Sequence, residues 1–511
     1  LSKLKIDKSP GPDFVHPRVI FEIRAEITSA LKMLFQLSLE SGQLPMDWTK
    51  SIISMIHKKG SKTDVSNYRP ISLTCICCKV LESLIKDHIV NFCSANNLFS
   101  AKQFGFIKGR STVLQLLNLV DEWSDSLENG GQVDVIYTDF EKAFDKIPFK
   151  RLLSKLGSYG FNCVILSWIE AFLINRQFCV RVNGKFSDWC DVNSGVPQGS
   201  VLGPILFVLY INDLPNYCCG RKKFMFADDS KLYKHVNDNL DATALLHDCQ
   251  KLYSWCEQWM MALNTNKCKV LSIGRKVKTY LKYGFDIPRL GFVQLECVDS
   301  IKDLGVTFDS DMSFKSHIYE KINMAYRMLG IINRNFKHVD KRSFVLLYKS
   351  LVRSQLEYAQ SVWSPFKGIF IKDLEKVQKR ATKLVAGCKS LSYVERLQRL
   401  KLPTLKYRRI RCDMIEAYKI LSGKYDSLVS PRLSLSTNSR TRGNSLKLNV
   451  QRTKYDLRKY CFSVRISNVW NSLPDEVILS DSVNSFKNNL DKFWKHEEIV
   501  YNYEADLSVN V

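Results

Sequence analysis

The chain has 511 residues, 45% hydrophobic and 11% aromatic, a composition that excludes intrinsic disorder at a length too great for one ordinary domain. Lys and Arg (75) exceed Asp and Glu (51) by 24, which points to a polyanionic partner, most simply nucleic acid. The longest apolar run, 201–211, contains Gly203 and Pro204 and is far too short to cross a bilayer, so no membrane partner is expected.

No secretory signal is visible, and a chain opening on Leu1 implies a truncated or processed N-terminus. The 16 cysteines include Cys75, Cys77, Cys78, Cys218 and Cys219, set in apolar runs without zinc-finger spacing. Buried free thiols in a reducing compartment follow, hence an intracellular protein of cytoplasm and nucleus that is not secreted.

Lys5 to Asp13 has loop chemistry, two prolines bracketing a glycine. Leu31, Leu34, Phe35 and Leu39 mark a helix that stops at Ser41-Gly42. Lys50 to Ile56 alternates as a strand, and the basic loop His57-Lys58-Lys59-Gly60 follows it. Asn67 to Leu73 leads into an apolar helix around Val80 to Val90. The stretch Gln103-Phe104-Gly105-Phe106-Ile107-Lys108-Gly109-Arg110-Ser111-Thr112 opens a further helix. Free N–H groups at that helix start, with Lys108 and Arg110, predict a phosphate seat.

Val133 to Phe140 reads as a β-branched and aromatic strand ending on Asp139. Ser194 to Ser200 is a loop entering the helix Val201 to Ile211. Phe226-Ala227-Asp228-Asp229, with apolar residues on both sides, predicts a β-hairpin whose turn exposes two adjacent carboxylates. Leu245, Cys249, Leu252, Cys256, Trp259 and Leu263 form the stripe of a helix ending near Asn264, and Val270 to Ile273 is another strand. From about residue 312 long amphipathic helices take over. Tyr348, Leu351, Val352, Leu356 and Tyr358 supply an apolar face, and Lys376, Lys379, Arg380 and Lys383 a basic one suited to a nucleic-acid duplex. A polar linker, Ser434 to Ser445, precedes an aromatic segment around Phe462, Trp470 and Phe486.

Two adjacent carboxylates repel, so a turn that keeps them suits a cation. If Asp139 and the Asp228-Asp229 turn are neighbours in one sheet, three carboxylates converge, the donor set of a two-metal site that activates a hydroxyl and steadies a leaving pyrophosphate. A triphosphate needs cations from the opposite side, for which Lys58, Lys59 and Arg69 are candidates.

Asp139 with Phe144-Asp145, the loop Ser194-Gly195-Val196-Pro197-Gln198-Gly199-Ser200, and Phe226-Ala227-Asp228-Asp229 resemble the palm motifs of reverse transcriptases, in family order. Lys267 in Leu263-Asn264-Thr265-Asn266-Lys267-Cys268 resembles the next one. Gly105 to Thr112, Asn67 to Leu73 and the Lys8 to Asp13 opening are similar to the non-LTR, LINE-type retrotransposons of the jockey-like kind. So are Leu304-Gly305-Val306 and Trp470-Asn471-Ser472-Leu473-Pro474 downstream.

The resemblance implies an α+β right-hand polymerase of fingers, palm and thumb, with an antiparallel palm sheet followed by a helical thumb and C-terminal segment. Its divisions would be an N-terminal extension and fingers (1–130), palm (131–290, the reverse transcriptase domain covering about 40–290), thumb (291–400) and a basic C-terminal segment (401–511). Asp139 and Asp228 would be the main ligands of two Mg²⁺ ions (Mn²⁺ a substitute), with the Phe140 carbonyl and Asp229 contributing. Phe144 would be a steric gate against a 2′-hydroxyl. Gln198 and Gly199 would lie along nucleotide and template, Lys58 or Lys59 and Arg69 on the triphosphate, and Lys267 near the pyrophosphate as a proton donor.

The implied activity is RNA-directed DNA polymerisation, with RNA template, dNTPs, and a DNA primer or nicked target DNA as partners. Phe226 replaces the Tyr that many reverse transcriptases carry. No stretch resembles the upstream endonuclease, an RNase H or the C-terminal Cys/His knuckle, so a nuclease from a missing part of the polyprotein is expected. The rivals are a catalytically decayed or domesticated nucleic-acid-binding relative and an RNA-dependent RNA polymerase; the three acids oppose the first and Phe144 the second.

Overall fold

The computed structural model describes residues 1–217, 223–336, 339–436 and 444–508. Two small sheets carry the architecture. In the first, strand β1 (Lys50–His57) pairs antiparallel with β2 (Tyr68–Leu73). The second is organised around β3 (Gln132–Thr138). Strand β4 (Arg176–Val182) lies parallel to β1 and completes the first sheet with the short strands β5 (Lys185–Phe186) and β6 (Cys190–Val192).

Strands β7 (Lys223–Phe226) and β8 (Asp229–Val236) form the predicted hairpin, and β9 (Lys269–Ile273) flanks β3 on its other side. The order β9-β3-β8-β7 is antiparallel throughout, and the two-residue strand Glu296–Cys297 adds a parallel edge to β9. This is the α+β arrangement with an antiparallel palm sheet.

The palm sheet is buried on both faces, so β3 carries apolar residues on each, Val133 and Val135 on one and Ile136 on the other. Val133, Val135, Phe224, Tyr233, Leu271 and Ile273 point into one core, shared with the helix Thr112–Glu128 and the helices after residue 315. Ile136, Met225, Leu232, Val236 and Val270 point into another, shared with the helices Ile76–Ala95, Cys163–Leu173 and Asn239–Gln258.

The predicted stripe through Leu263 does not hold. The helix ends at Gln258, Met260 takes φ 54°, and Leu263 bridges Phe140 as extended chain. Tyr348, Val352 and Leu356 are buried as expected, but Leu351 and Tyr358 are exposed. Leu351 sits in a π-turn, Tyr348–Arg353, and Tyr358 lies past the end of the next helix in extended conformation, its hydroxyl donating to Leu304 O at 2.8 Å.

The C-terminal helices Phe462–Asn471 and Val483–Phe493 do not stand apart. Trp470, Phe486 and Trp494 are buried in the core that also holds Leu114 and Leu374. Charged staples join them to the rest: Arg465 grips Asp413 through both oxygens at 2.9 and 3.0 Å, and Arg458 meets Asp121 at 2.7 Å. The fourteen cysteines among the described residues are free thiols, mostly buried. Cys218 and Cys219, and residues 437–443 of the expected linker, lie outside the described residues. Among the described residues no helix is long and apolar enough to cross a membrane.

One buried group sets an acid sensitivity. His317 accepts the Thr307 N–H through Nδ1 at 3.1 Å and stands edge-on to Trp363. Burial, helped by Lys321 and Lys302 against Glu320, lowers its pKa from 6.5 to about 4. Between those values the unfolded chain takes up a proton that the folded chain refuses, so stability is lost as pH falls. His317→Asn, whose amide oxygen can still accept that N–H, should flatten the loss between pH 7 and pH 4.5 by about 2 to 3 kcal/mol in urea denaturation. An unchanged slope would mean that the ring charges in place.

Candidate active site

The site sits where β3 and the β7–β8 hairpin end together. Thr138 pairs with Ser230, so Asp139 and Asp229 occupy the next step of that ladder. Phe226 pairs with Asp229, leaving Ala227 and Asp228 as the turn. Asp139 is pinned through its backbone, its carbonyl accepting Asn264 N–H at 2.8 Å and its N–H reaching Cys268 Sγ at 3.5 Å. Glu141 N–H bonds Ala262 O on the far side of Phe140, so the two bonds bracket that residue.

Asp228 and Asp229 both feel the neighbouring carboxylates. Desolvation, then Asp139, raises Asp228, while Arg69 opposes. Desolvation, then Asp228, pushes Asp229 up to about 6, with Asp303 and Asp139 adding to it and Lys231 opposing. Lys231 is itself buried and held by Asp303 at 2.6 Å. Among the described residues no three acidic, His or Cys groups form a closed metal cage. The donor set nonetheless fits Mg²⁺, which takes one or two protein carboxylates and completes its shell with water and phosphate oxygens. Asp139 and Asp228 offer such a pair, the charge of the first raising the pKa of the second.

Cations line the opposite side. Arg69 on β2 acts on Asp228, and Lys58, just past β1, acts on Asp145. Lys58 is the member of the Lys58–Lys59 pair whose charge is felt there. Lys267, largely exposed, stands 3.5 Å from Asp139 Oδ2.

The loop 194–200 stitches fingers to palm. Ser72 on β2 donates its N–H to Gln198 O at 2.6 Å, Gln198 Nε2 donates to Asp145 Oδ1 at 2.9 Å, and Val196 N–H bonds Phe144 O at 2.8 Å. Gly199 has φ 120°, and a Cβ there would lie 2.6 Å from Ser72 O, so only glycine fits. Phe144 is half-buried and stacked on Phe207, with centroids 4.4 Å apart. A cleft of about 330 Å³ opens between Pro70, Ser72, Asp145, Arg176 and Gln198.

Two expectations are corrected. Arg110 is not a phosphate ligand: its side chain is buried, paired with Asp426 at 2.8 Å, and donates to Ser100 O and Gln103 O. The helix start is already capped by Ser111, so the seat is closed and only Lys108 remains exposed. The basic helix Gly368–Thr382 is partly occupied as well. Lys376 pairs with Asp373, Lys379 bonds Tyr503 at 3.1 Å and faces the Tyr393 ring, and Arg380 lies over Tyr326. Lys383 is exposed just after that helix. Tyr503 of the C-terminal segment thus holds Lys379, which is half-buried.

Sequence reasoning missed Glu82. It is fully buried and accepts the N–H groups of Val201 and Leu202 at 2.7 and 3.1 Å, fixing the end of the 194–200 loop where the helix Gly203–Tyr210 begins. Its signal was a lone acid on the apolar stripe Cys78, Leu81, Ile85, Ile89.

An antiparallel sheet carrying coupled carboxylates at one end, faced by cations from a second sheet, defines a right-hand nucleotide polymerase palm. Residues 56–308 match the family model described as reverse transcriptase (RNA-dependent DNA polymerase). Over those residues the chain carries a reverse transcriptase domain. It is 27% identical over 416 residues to a probable RNA-directed DNA polymerase from transposon X-element of Drosophila melanogaster, covering 78% of this chain and 44% of that protein. It is 27% identical over 420 residues to the RNA-directed DNA polymerase from mobile element jockey of the same organism, covering 79% and 45%. It thus spans less than half the length of these curated relatives. Telomerase from Candida albicans, solved with a fragment of telomeric RNA, is similar at 10% identity and TM-score 0.42 over 71% of this chain and 68% of that one.

Proposed function

We propose that this chain is the RNA-directed DNA polymerase portion of a non-LTR retrotransposon polyprotein, extending a DNA 3′-hydroxyl with dNTPs on an RNA template. The observation that carries the reading is the convergence of Asp139 and the Asp228-Asp229 turn at one end of the β3–β8–β7 ladder, with Lys267 3.5 Å from Asp139 and the Arg69 charge felt at Asp228. A binding-only protein gains nothing from three acids gathered beside a polyanion, which argues against a decayed or domesticated role.

Asp139 and Asp228 would hold the divalent ions. Two Mg²⁺ ions (or Mn²⁺), when bound, supply activation of the primer hydroxyl and neutralisation of the leaving pyrophosphate. The protein's own work is positioning and charge. Arg69 receives the triphosphate as a planar fork and Lys58 as a point charge. Lys267 holds a proton on Nζ within reach of the leaving group. Gln198, oriented by Asp145, and Gly199 guide nucleotide and template past the Phe144 ring. The nick in target DNA would be made by an endonuclease from another part of the polyprotein, and this chain would work inside the cell, in cytoplasm and nucleus.

The test is incorporation of dTTP on poly(rA)/oligo(dT) with Mg²⁺ by the purified chain. Tight primer–template binding with no incorporation would move the assignment to a binding protein. Binding itself should weaken steeply with salt, because phosphate contacts release counterions. With six or more contacts, affinity falls about 10³-fold or more between 50 and 200 mM salt. A flat response in fluorescence anisotropy would count against a basic cleft.

A further inference from the structure

Residues 102–104, at the start of the expected phosphate seat, run along β7 instead. Met225 donates its N–H to Lys102 O and Phe104 donates to Met225 O, both at 2.8 Å, pairing Gln103 with Met225 in parallel. Gln103 is fully buried. Its Oε1 accepts two backbone N–H groups, from Ala227 at 2.9 Å and from Gly105 at 2.7 Å, and its Nε2 lies 3.5 Å from Ala227 O.

Ala227 is the first residue of the Asp-bearing turn, with φ 54°. That left-handed region is uncommon for a residue with a side chain and persists where surroundings enforce it. Gly105 belongs to the same enforcement: a Cβ there would stand 2.4 Å from Ala227 N, so the two backbones touch. A side-chain amide is suited to the place. It offers an acceptor to the N–H and a donor to the C=O of one residue, Ala227, and it adds no charge beside Asp228 and Asp229.

We infer that Gln103 is a positioning residue, whose amide holds the left-handed Ala227 backbone and so fixes where the Asp228 carboxylate stands relative to Asp139. The assignment rests on the polymerase reading of Asp228. It also gives the Gln103-Phe104-Gly105 stretch a purpose other than phosphate binding. Gln103 satisfies the turn, Phe104 packs on Phe224 with centroids 5.5 Å apart, and Gly105 permits the close approach.

The test compares the full chain with Gln103→Met, which keeps length and apolar bulk but loses both acceptor bonds, and with Gln103→Glu, which keeps an acceptor and, buried beside Asp228 and Asp229, is held protonated so that it adds no charge. Primer extension on poly(rA)/oligo(dT) gives kcat and KM for dTTP, anisotropy gives the primer–template Kd, and hydrogen exchange follows the peptide 223–232. Gln103→Met should lower kcat by about 10²-fold, the scale of an ångström-level misplacement, with KM and Kd within about twofold. Exchange should quicken in the hairpin peptide and not in the helix Asn239–Gln258. Gln103→Glu should recover kcat to within about tenfold of the parent. An unchanged kcat in Gln103→Met overturns the inference, as does no recovery in Gln103→Glu. So does a loss shared with binding and accompanied by faster exchange across the whole chain, the mark of a residue needed only for folding. If the parent itself extends nothing, the polymerase reading falls. Hairpin exchange then decides alone whether Gln103 holds the turn, and unchanged exchange overturns it.

Discussion

Asp228→Asn should reduce primer extension at least about 10³-fold while leaving the primer–template Kd within about twofold, a loss of about 4 kcal/mol confined to the chemical step. The substitution keeps shape and removes a charge. The turn does not need that charge: Phe226 and Asp229 pair across it, and Ala227 is held by Gln103. Asp228 even opposes its surroundings, since it is desolvated and raises Asp229. Its removal therefore relieves repulsion, both within the site and toward a polyanion. The melting temperature should stay level or rise, and binding should stay level or tighten. A residue that costs stability and is kept is a residue kept for chemistry. Thermal melting, anisotropy and dTTP incorporation on one preparation would decide the matter. Equal loss of binding and synthesis, or a clear fall in melting temperature, would make Asp228 structural.

Much of this site was legible because it is built from local signals. An Asp-Asp centre between apolar runs gives the hairpin, and a β-branched run ending on Asp139 gives the strand. The two become neighbours through a ladder between strands about ninety residues apart, which no local pattern specifies. Family order of the motifs supplied that step. The helices with strong stripes also appeared where periodicity put them, Arg24–Ser41 stopping at Gly42 in the left-handed conformation.

What failed was the reading of charge. Arg110 looks like a phosphate ligand because it follows a glycine and precedes a helix. Its partner Asp426 lies 316 residues away, and nothing near Arg110 announces it. Lys379 is lost to Tyr503 in the same way. A basic side chain has one appearance in sequence whether it meets solvent, RNA or an acid from a distant segment. The roles of Glu82, Gln103 and Cys268 are hard to read for the converse reason. Each acts on a backbone N–H of a functional loop, and a backbone group leaves no trace in the residue type it belongs to. Leu263 was assigned to a helix because its spacing fits one. The positive φ of Met260, which ends that helix and frees Leu263 to bridge Phe140, has no compositional signature in a methionine.

The second large effect concerns the sugar. Phe144→Ala should cut the preference for dTTP over UTP by about 10²-fold, the scale at which a shaped apolar wall rejects an added hydroxyl. A wall discriminates by shape only if it cannot yield, and two features make this one stiff. The ring is stacked on Phe207 at an interplanar angle of 18°, and Phe207 is itself fully buried. The Phe144 carbonyl takes the Val196 N–H, tying the ring's backbone to the loop that carries Gln198. Truncation removes the stack, worth about 1 kcal/mol beyond the lost burial, so some loss of stability is expected in any case. The readout must therefore be a ratio. If kcat/KM for dTTP falls only a few-fold while that for UTP rises, the ring is a gate. If both fall together, it is packing that happens to border the site. Phe144→Tyr keeps the stack and sharpens the distinction. A gate should still exclude UTP in that variant, whereas a ring that serves only as packing predicts no preference for the deoxynucleotide in the parent either.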